Sequence, residues 1–304
     1  MPIRTFSKRV GLVLIAALIV SVESARADVS VNVNGNIATA QIALPSTAQP
    51  TYTATVTITF DSVVNLTRGS LNLTAQMVNP GTLTGLPLGV AVDPDFPVLV
   101  SVEPPVPLFM NSFEPGEVGD GALRFFDTYE MEIHTADLVC GSSSSTYRLY
   151  KAPHGSTNFR DVTDGLYAGS VRARGRGGAF SQFLIVRDQQ LLGLVGVATQ
   201  KLGMLLTRLQ TSSINGTLLT TLTMLLEQVT ASLLPPLNIS GAISALNTFI
   251  EDVKTGAQNG DIANEWVAGG SSSNDAGDLI SLAQTLNFSL QLLQGAPVCQ
   301  TASN

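Results

Sequence analysis

The amino-acid sequence predicts a mixed α+β protein: an antiparallel β-sandwich region over residues 28–188, then a C-terminal α-helical bundle over 189–294. Three observations predict it. Residues 51–60 alternate apolar and polar side chains almost without interruption, and turn residues recur at short spacing through the first region. Near Gln189 the apolar period then changes from two residues to three or four. The 304 residues are 44% hydrophobic and 13% charged, which suits a chain with a sizeable core and excludes wholesale disorder.

The first element is an export signal over residues 1–27. Arg4, Lys8 and Arg9 precede an uncharged apolar run from Val10 to Val20, and Ala25-Arg26-Ala27 forms a small-x-small cleavage site. The run has 11 residues, well short of the ~20 a membrane span needs. The mature chain is expected to start near Asp28 and to be periplasmic or extracellular. It would carry 12 Lys and Arg against 22 Asp and Glu, a net charge of −10. An acidic chain without a basic block is a poor candidate for nucleic acid, whose affinity comes mainly from neutralising phosphates.

The β-like text begins at Val29, Val31 and Val33, which alternate with polar residues up to the Gly35-Asn36 turn. In 51–60, Tyr52, Ala54, Val56, Ile58 and Phe60 share one face and five threonines the other. Leu71, Leu73, Ala75 and Met77 repeat the pattern, as do Leu123, Phe125, Tyr129, Met131 and Ile133. Arg68-Gly69-Ser70, Asn79-Pro80-Gly81, Asp93-Pro94-Asp95 and Gly175-Arg176-Gly177-Gly178 read as turns. Four prolines and three glycines in 104–121 mark a linker or long loop, so the region is one large sandwich or two small ones divided there.

Helix-length patterns follow. One broad apolar face runs from Leu191 to Leu209, and a second helix from Thr217 to Leu233 stops before Pro235-Pro236. A third covers 240–254, a short one near 261–268 holds Trp266, and a last helix runs from Asp275 to Leu293 with Asn274 or Asp275 as its cap. Residues 295–304 form a tail. Short loops between such helices suggest a bundle.

A resemblance enters at residues 123–187. Tyr147-Arg148-Leu149-Tyr150-Lys151, Phe159-Arg160-Asp161-Val162-Thr163 and the closing Phe180-Ser181-Gln182-Phe183 follow one another in an order that resembles a module of bacterial extracytoplasmic immunoglobulin-like β-sandwiches. Phe159 stands where that pattern often has Trp. Asp164-Gly165-Leu166-Tyr167 is similar to the tyrosine corner of immunoglobulin-like folds, whose Tyr hydroxyl bonds back to the backbone. The resemblance implies a structural or binding module on an exported protein and carries over no catalytic residue.

Cys140 and Cys299 are the only cysteines, and an oxidising compartment favours a disulfide between them over two buried thiols. Other chemistry is sparse. Glu130, Glu132 and His134 share a strand face that could gather a metal, although alternation alone predicts a solvated face there. Asp161 with Asp164, and Asp93 with Asp95, lie at turns of the kind that hold calcium, yet Asp is ordinary in turns. Ser142 to Ser145, with His134 and His154 on either side, read better as a loop than as a nucleophile site. Arg172, Arg174 and Arg176 alternate on one strand; protection of an exposed edge is favoured over an anionic partner such as a lipid phosphate or acidic sugar. Five Asn-x-Ser/Thr sites occur, including Asn65 and Asn287.

The residues therefore favour an exported, non-enzymatic structural or binding protein with no metal and no cofactor. Its partner would be a protein or a glycan, held by sandwich loops or by a groove between the two halves. An exported hydrolase with an unrecognised site is one alternative. The other is a membrane-active protein, since no charged residue falls between Glu227 and Glu251, although membrane contact is not favoured.

Overall fold

A computed structural model describes residues 27–45, 51–106, 121–141, 146–271 and 273–301. The expected signal peptide (except Ala27), most of the 104–121 stretch and the run Ser142 to Ser145 lie outside the described residues.

Strands β1 (Asp28–Asn34), β2 (Ile37–Leu44) and β3 (Tyr52–Val64) come first, then a one-turn helix α1 (Arg68–Leu71). Strands β4 (Leu73–Met77), β5 (Val90–Val92), β6 (Val98–Val102), β7 (Arg124–Cys140) and β8 (Tyr147–Ala152) follow. Next are β9 (Arg160–Asp161), β10 (Thr163–Tyr167), β11 (Gly169–Gly177) and β12 (Gln182–Asp188). Long helices α2 (Gly193–Thr211), α3 (Gly216–Ser232) and α4 (Ile239–Asn259) then lead to β13 (Glu265–Val267) and α5 (Asp275–Leu293).

The strands form two antiparallel sheets. The larger has the order β1-β2-β3-β7-β11-β10, with β13 added beside β7; the smaller has the order β4-β6-β12-β8-β9, with β5 beside β12. Their inward residues share one core. Val56 and Ile58 of β3 and Met131 and Ile133 of β7 meet Val98 and Val100 of β6, Leu149 of β8, and Phe183 and Ile185 of β12. The alternation in 51–60 thus reports which side of β3 is buried. The smaller sheet is apolar on both faces. Leu99, Tyr150, Leu184 and Val186 point away from that core and are covered by Val78, Leu83, Leu86 and Val90. This is why Val98 to Val102 is buried at every position rather than at alternate ones.

A bulge in β7 sets the position of the helices. Phe60 pairs with Tyr129, but Val63 pairs with Phe125, so β7 carries one extra residue, with Asp127 at φ +58°. Phe125 and Tyr129, on either side of the extra residue, both lie in the core. The Asp127 carbonyl accepts a hydrogen bond from the Asn274 amide at 2.8 Å, while Asn274 caps α5 through the Gly277 N–H. A Cβ at Gly277 would lie 2.1 Å from the Asp127 oxygen, so the approach requires glycine there.

Helices α2 to α5 enclose a second core. Leu202, Leu205 and Leu209 of α2 pack with Leu222, Leu226 and Val229 of α3, and with Leu246, Phe249 and Val253 of α4. Helix α5 is buried along almost its whole length, because one side faces α2 and α4 and the other faces β7, β10 and β11. The leucines expected to raise a membrane question are therefore mostly spent on a protein core. Among the described residues no helix is long and apolar enough to cross a membrane.

The expected short helix over 261–268 is not formed. Glu265–Val267 is a strand whose Trp266 pairs with Phe125 and stacks on its ring at 5.3 Å, with Phe180 edge-on at 5.0 Å. Pairing with the open stretch of β7 and burial in an aromatic cluster outweigh the weak propensity of so short a segment.

Cys140, at the end of β7, is bonded to Cys299, 159 residues away. The bond holds the tail against β10, where Gln300 N–H donates to Leu166 O at 2.7 Å and Ala168 N–H to Gln300 O at 2.8 Å. One edge of the larger sheet is thereby covered. Closing so long a loop stabilises by up to about 5 kcal/mol in the chain-entropy model. The double replacement Cys140→Ala/Cys299→Ala should cost about 2–5 kcal/mol in urea unfolding. It should also speed proteolysis within residues 295–301; an unchanged midpoint with a protected tail would show that the hydrogen bonds alone suffice.

Candidate functional site

An apolar cleft lies where α2 crosses the outer face of the smaller sheet. Its walls are Pro87, Leu88 and Val90 before and within β5, Phe159 beside β9, and Leu191, Leu192, Val197 and Met204 in and just before α2. It encloses about 350 Å³. The wall is joined to the helix start by the Gln189 N–H, which donates to Gly89 O at 3.0 Å. Gly89 has φ +82°, and a Cβ there would lie 2.6 Å from Leu191, so glycine lets the two segments close on each other. Leu88, Leu191 and Leu192 are 90%, 59% and 61% exposed, which leaves a leucine rim around the mouth.

The floor is polar and fully engaged. Lys201, on the inward face of α2 between Ala198 and Leu205, reaches Asp161 of β9 at 2.6 Å. Its ammonium also donates to the Thr285 hydroxyl at 2.8 Å and the Thr285 carbonyl at 3.1 Å. The other Asp161 oxygen accepts from the Thr163 N–H at 2.8 Å and hydroxyl at 2.6 Å. Burial alone would raise the Asp161 carboxyl, but Lys201 and Arg148 outweigh it and hold it below its ordinary value, while burial draws the Lys201 ammonium down against the opposing pull of Asp161. Beside it Tyr150 donates to Asp188 at 3.1 Å, and the Gln190 N–H donates to the other Asp188 oxygen at 2.8 Å. Burial pushes the Tyr150 hydroxyl well up. Nothing in this floor resembles an activated nucleophile; it is a rigid polar base under an apolar chamber.

The residues singled out in the sequence are placed elsewhere. Glu130, Glu132 and His134 do share one face of β7, and opposite them on β11 stand Arg176, Arg174 and Arg172 in register. Arg176 is paired with Glu130, and Arg174 and Arg176 reach Asp164 at 3.1 and 3.0 Å. Strand β11 lies between β7 and β10, so the arginines do not guard an open edge; they answer a row of acids across strands. His134 bonds Ser170 at 2.8 Å, and His154 pairs with Glu103 at 2.7 Å. Among the described residues no cluster of His, Cys, Asp or Glu could hold a metal. Asp93 is buried against Arg187 and also bonds the Asp95 N–H at 2.9 Å, as a turn aspartate does.

Two further expectations meet different surroundings. The Tyr167 ring lies under the Arg174 guanidinium at 5.3 Å, and its hydroxyl makes no backbone hydrogen bond among the described residues. Backbone oxygens are reached instead by the hydroxyls of Tyr129, which donates to Ala179 O at 2.8 Å, and Tyr52, which donates to Pro94 O at 3.5 Å. Asn287 is buried in α5 with its amide on Asn247, so that sequon is closed to glycosylation, whereas Asn65 is exposed.

Sequence reading missed the cleft residues Lys201, Tyr150, Arg160 and Asp188. One signal was available: Lys201 interrupts an apolar helix face three residues after Ala198 and four before Leu205.

A second lysine is buried without a carboxylate partner. Lys151 donates to Ala179 O at 2.7 Å and lies over the rings of Tyr129 and Phe183. Burial, reinforced by Arg160 and opposed by Asp278, brings its ammonium down from 10.5 to about 7.

Fold and site together define a mixed α+β protein with two antiparallel sheets and a helical layer, and with a cleft at their junction. The chain belongs to DUF6689, a family of unknown function, whose model matches residues 14–294 and so runs through both the sheets and the helices. No curated protein and no solved structure matches it.

Asp161→Ala should cost about 3–5 kcal/mol in urea unfolding, because it strands a buried ammonium; Asp161→Leu with Lys201→Met should recover most of that loss. For Lys151 the sign follows from the lowered value. Below about pH 7 it is protonated in both states and its penalty is complete; between about 7 and 10.5 the unfolded chain binds more protons, so stability rises with pH. Lys151→Met should flatten that rise in thermal melts taken from pH 6 to 10, and a slope equal to the parent's would contradict the assignment.

Proposed function

We propose that this protein is an exported, non-enzymatic binding module in which a β-sandwich of immunoglobulin-like type and a helical bundle hold a ligand between them. The observation that carries this reading is the cleft itself. Its walls come from both parts of the chain, its polar floor is satisfied without a ligand, and its rim leaves three leucines in solvent. The cysteine pair supports an oxidising compartment, and the signal-like start of the sequence supports export. The engaged state of Asp161, Asp164 and Glu130, each held by a lysine or arginine, supports binding over hydrolysis by a carboxylate pair.

Photocrosslinking in the producing cells tests the reading. A benzophenone side chain at Leu192, on the cleft rim, should yield a discrete adduct by mass spectrometry, and the same group at the exposed Thr59 on the larger sheet should not. Equal labelling at both positions, or none at Leu192, would overturn the assignment of the cleft as the binding site.

A further inference from the structure

The leucines that enter no core gather at one end of the helical layer. Among the described residues eleven large apolar side chains are exposed, and seven of them stand on three neighbouring turns. Leu88 lies in the turn before β5. Leu191, Leu192, Leu194 and Val195 stand where α2 begins, and Leu234 and Leu237 flank Pro235-Pro236 between α3 and α4. The turns adjoin. The Gln189 N–H donates to Gly89 O, Leu194 and Leu292 line one groove, and Gln294 at the end of α5 donates to the Ser240 hydroxyl at the start of α4.

Charge is missing from the same end. Residues 80–92, 189–200, 228–250 and 279–304 carry no charged side chain. Of the charges beside them, Arg148 and Asp188 are buried and Arg187 is paired with Asp93. The backbone of the turns is also largely satisfied from within. In 233–238 the N–H groups of Leu233, Leu234 and Asn238 donate to the carbonyls of Val229, Ala231 and Ser232, and the two prolines have no N–H to satisfy. The Val90 N–H closes on Pro87 O, and the Gly193 N–H on Gln190 O. Leu192 holds the cap position of α2 without a side-chain hydrogen bond, where Ser, Thr, Asp or Asn would satisfy the first N–H groups. A polar cap is given up there for an exposed leucine.

These features select the medium that meets this end. A protein interface is anchored by Tyr, Trp and Arg inside a polar rim. The aromatic residues of the four uncharged segments are Phe249 and Phe288, both buried, so no such anchor is exposed there. Separate leucine tips without charge and with few open backbone donors need no matching surface, only a medium that dissolves hydrocarbon. We propose that this end docks on a lipid surface of zwitterionic head groups, with the leucine tips entering the boundary of the acyl chains. The chain as a whole carries a charge of −7, which makes an anionic surface the poorer partner. The proposal goes beyond the reading of the cleft, because Leu234 and Leu237 lie outside the cleft lining.

Flotation of the disulfide-bonded mature chain with phosphatidylcholine vesicles tests the proposal. The parent chain should float, and should float less when phosphatidylglycerol is mixed in at low salt. Leu234→Ser/Leu237→Ser should lower the partition coefficient about tenfold. The double variant should keep the parental urea midpoint, since both side chains already face solvent. Ile37→Ser, at an exposed apolar residue of the β1–β2 hairpin, should leave flotation unchanged. A parent chain that stays at the bottom, or that prefers phosphatidylglycerol, would overturn the proposal, as would equal losses from Ile37→Ser and the double variant. A dimer in sedimentation velocity that the double variant dissolves would reassign this end to a second copy of the chain. A Leu192 adduct from a chain that does not float would overturn lipid docking and leave the cleft reading in place.

Discussion

The ion pair between Lys201 and Asp161 is the interaction on which the rest of the structure depends. It joins the first long helix to the smaller sheet, and through Thr163 and Thr285 it draws in β10 and α5 as well. Removing two charges from water is costly, so such a pair persists only where its other bonds are satisfied, as they are here on both partners. Its directional geometry admits one placement of α2 on the sheet, whereas leucine contacts alone would tolerate several. Arg148 reinforces the joint by lying over Phe288 of α5.

The second joint is built differently, from backbone. The extra residue in β7 turns a carbonyl outward, and the α5 cap and a glycine accept it at close range. Between these two joints α5 has no solvated side, which explains why it is apolar or small almost all round. The cleft lies beside the first joint. Its chamber is apolar because Phe159 and Val90 belong to the outer face of the smaller sheet, and its floor is polar because the joint itself is ionic. Holding the helix and forming the chamber are therefore two results of one arrangement.

The charge row on the larger sheet has a simpler origin. Acids on β7 and arginines on β11 meet in register because the strands are antiparallel neighbours, and each such pair contributes on the order of 0.2–1 kcal/mol. Read strand by strand, the acids resemble a metal site and the arginines an anion site. Read together, they answer one another.

The strand faces, the four long helices, the change of period near Gln189 and the cysteine pair are legible in the chain before it folds, because each depends on spacing within a few residues or on there being only two cysteines. Tyr52 to Phe60 could bury only one face whatever sheet they joined. The partners of the polar residues emerge only once the chain is folded. Lys201 meets a carboxylate 40 positions earlier in the chain, Glu130 meets an arginine 46 positions later, and Trp266 extends as a strand because Phe125 offers it a ring. Local periodicity records which side of an element avoids water. Coulomb and hydrogen-bond partners are set by which elements become neighbours, and no local pattern encodes that choice.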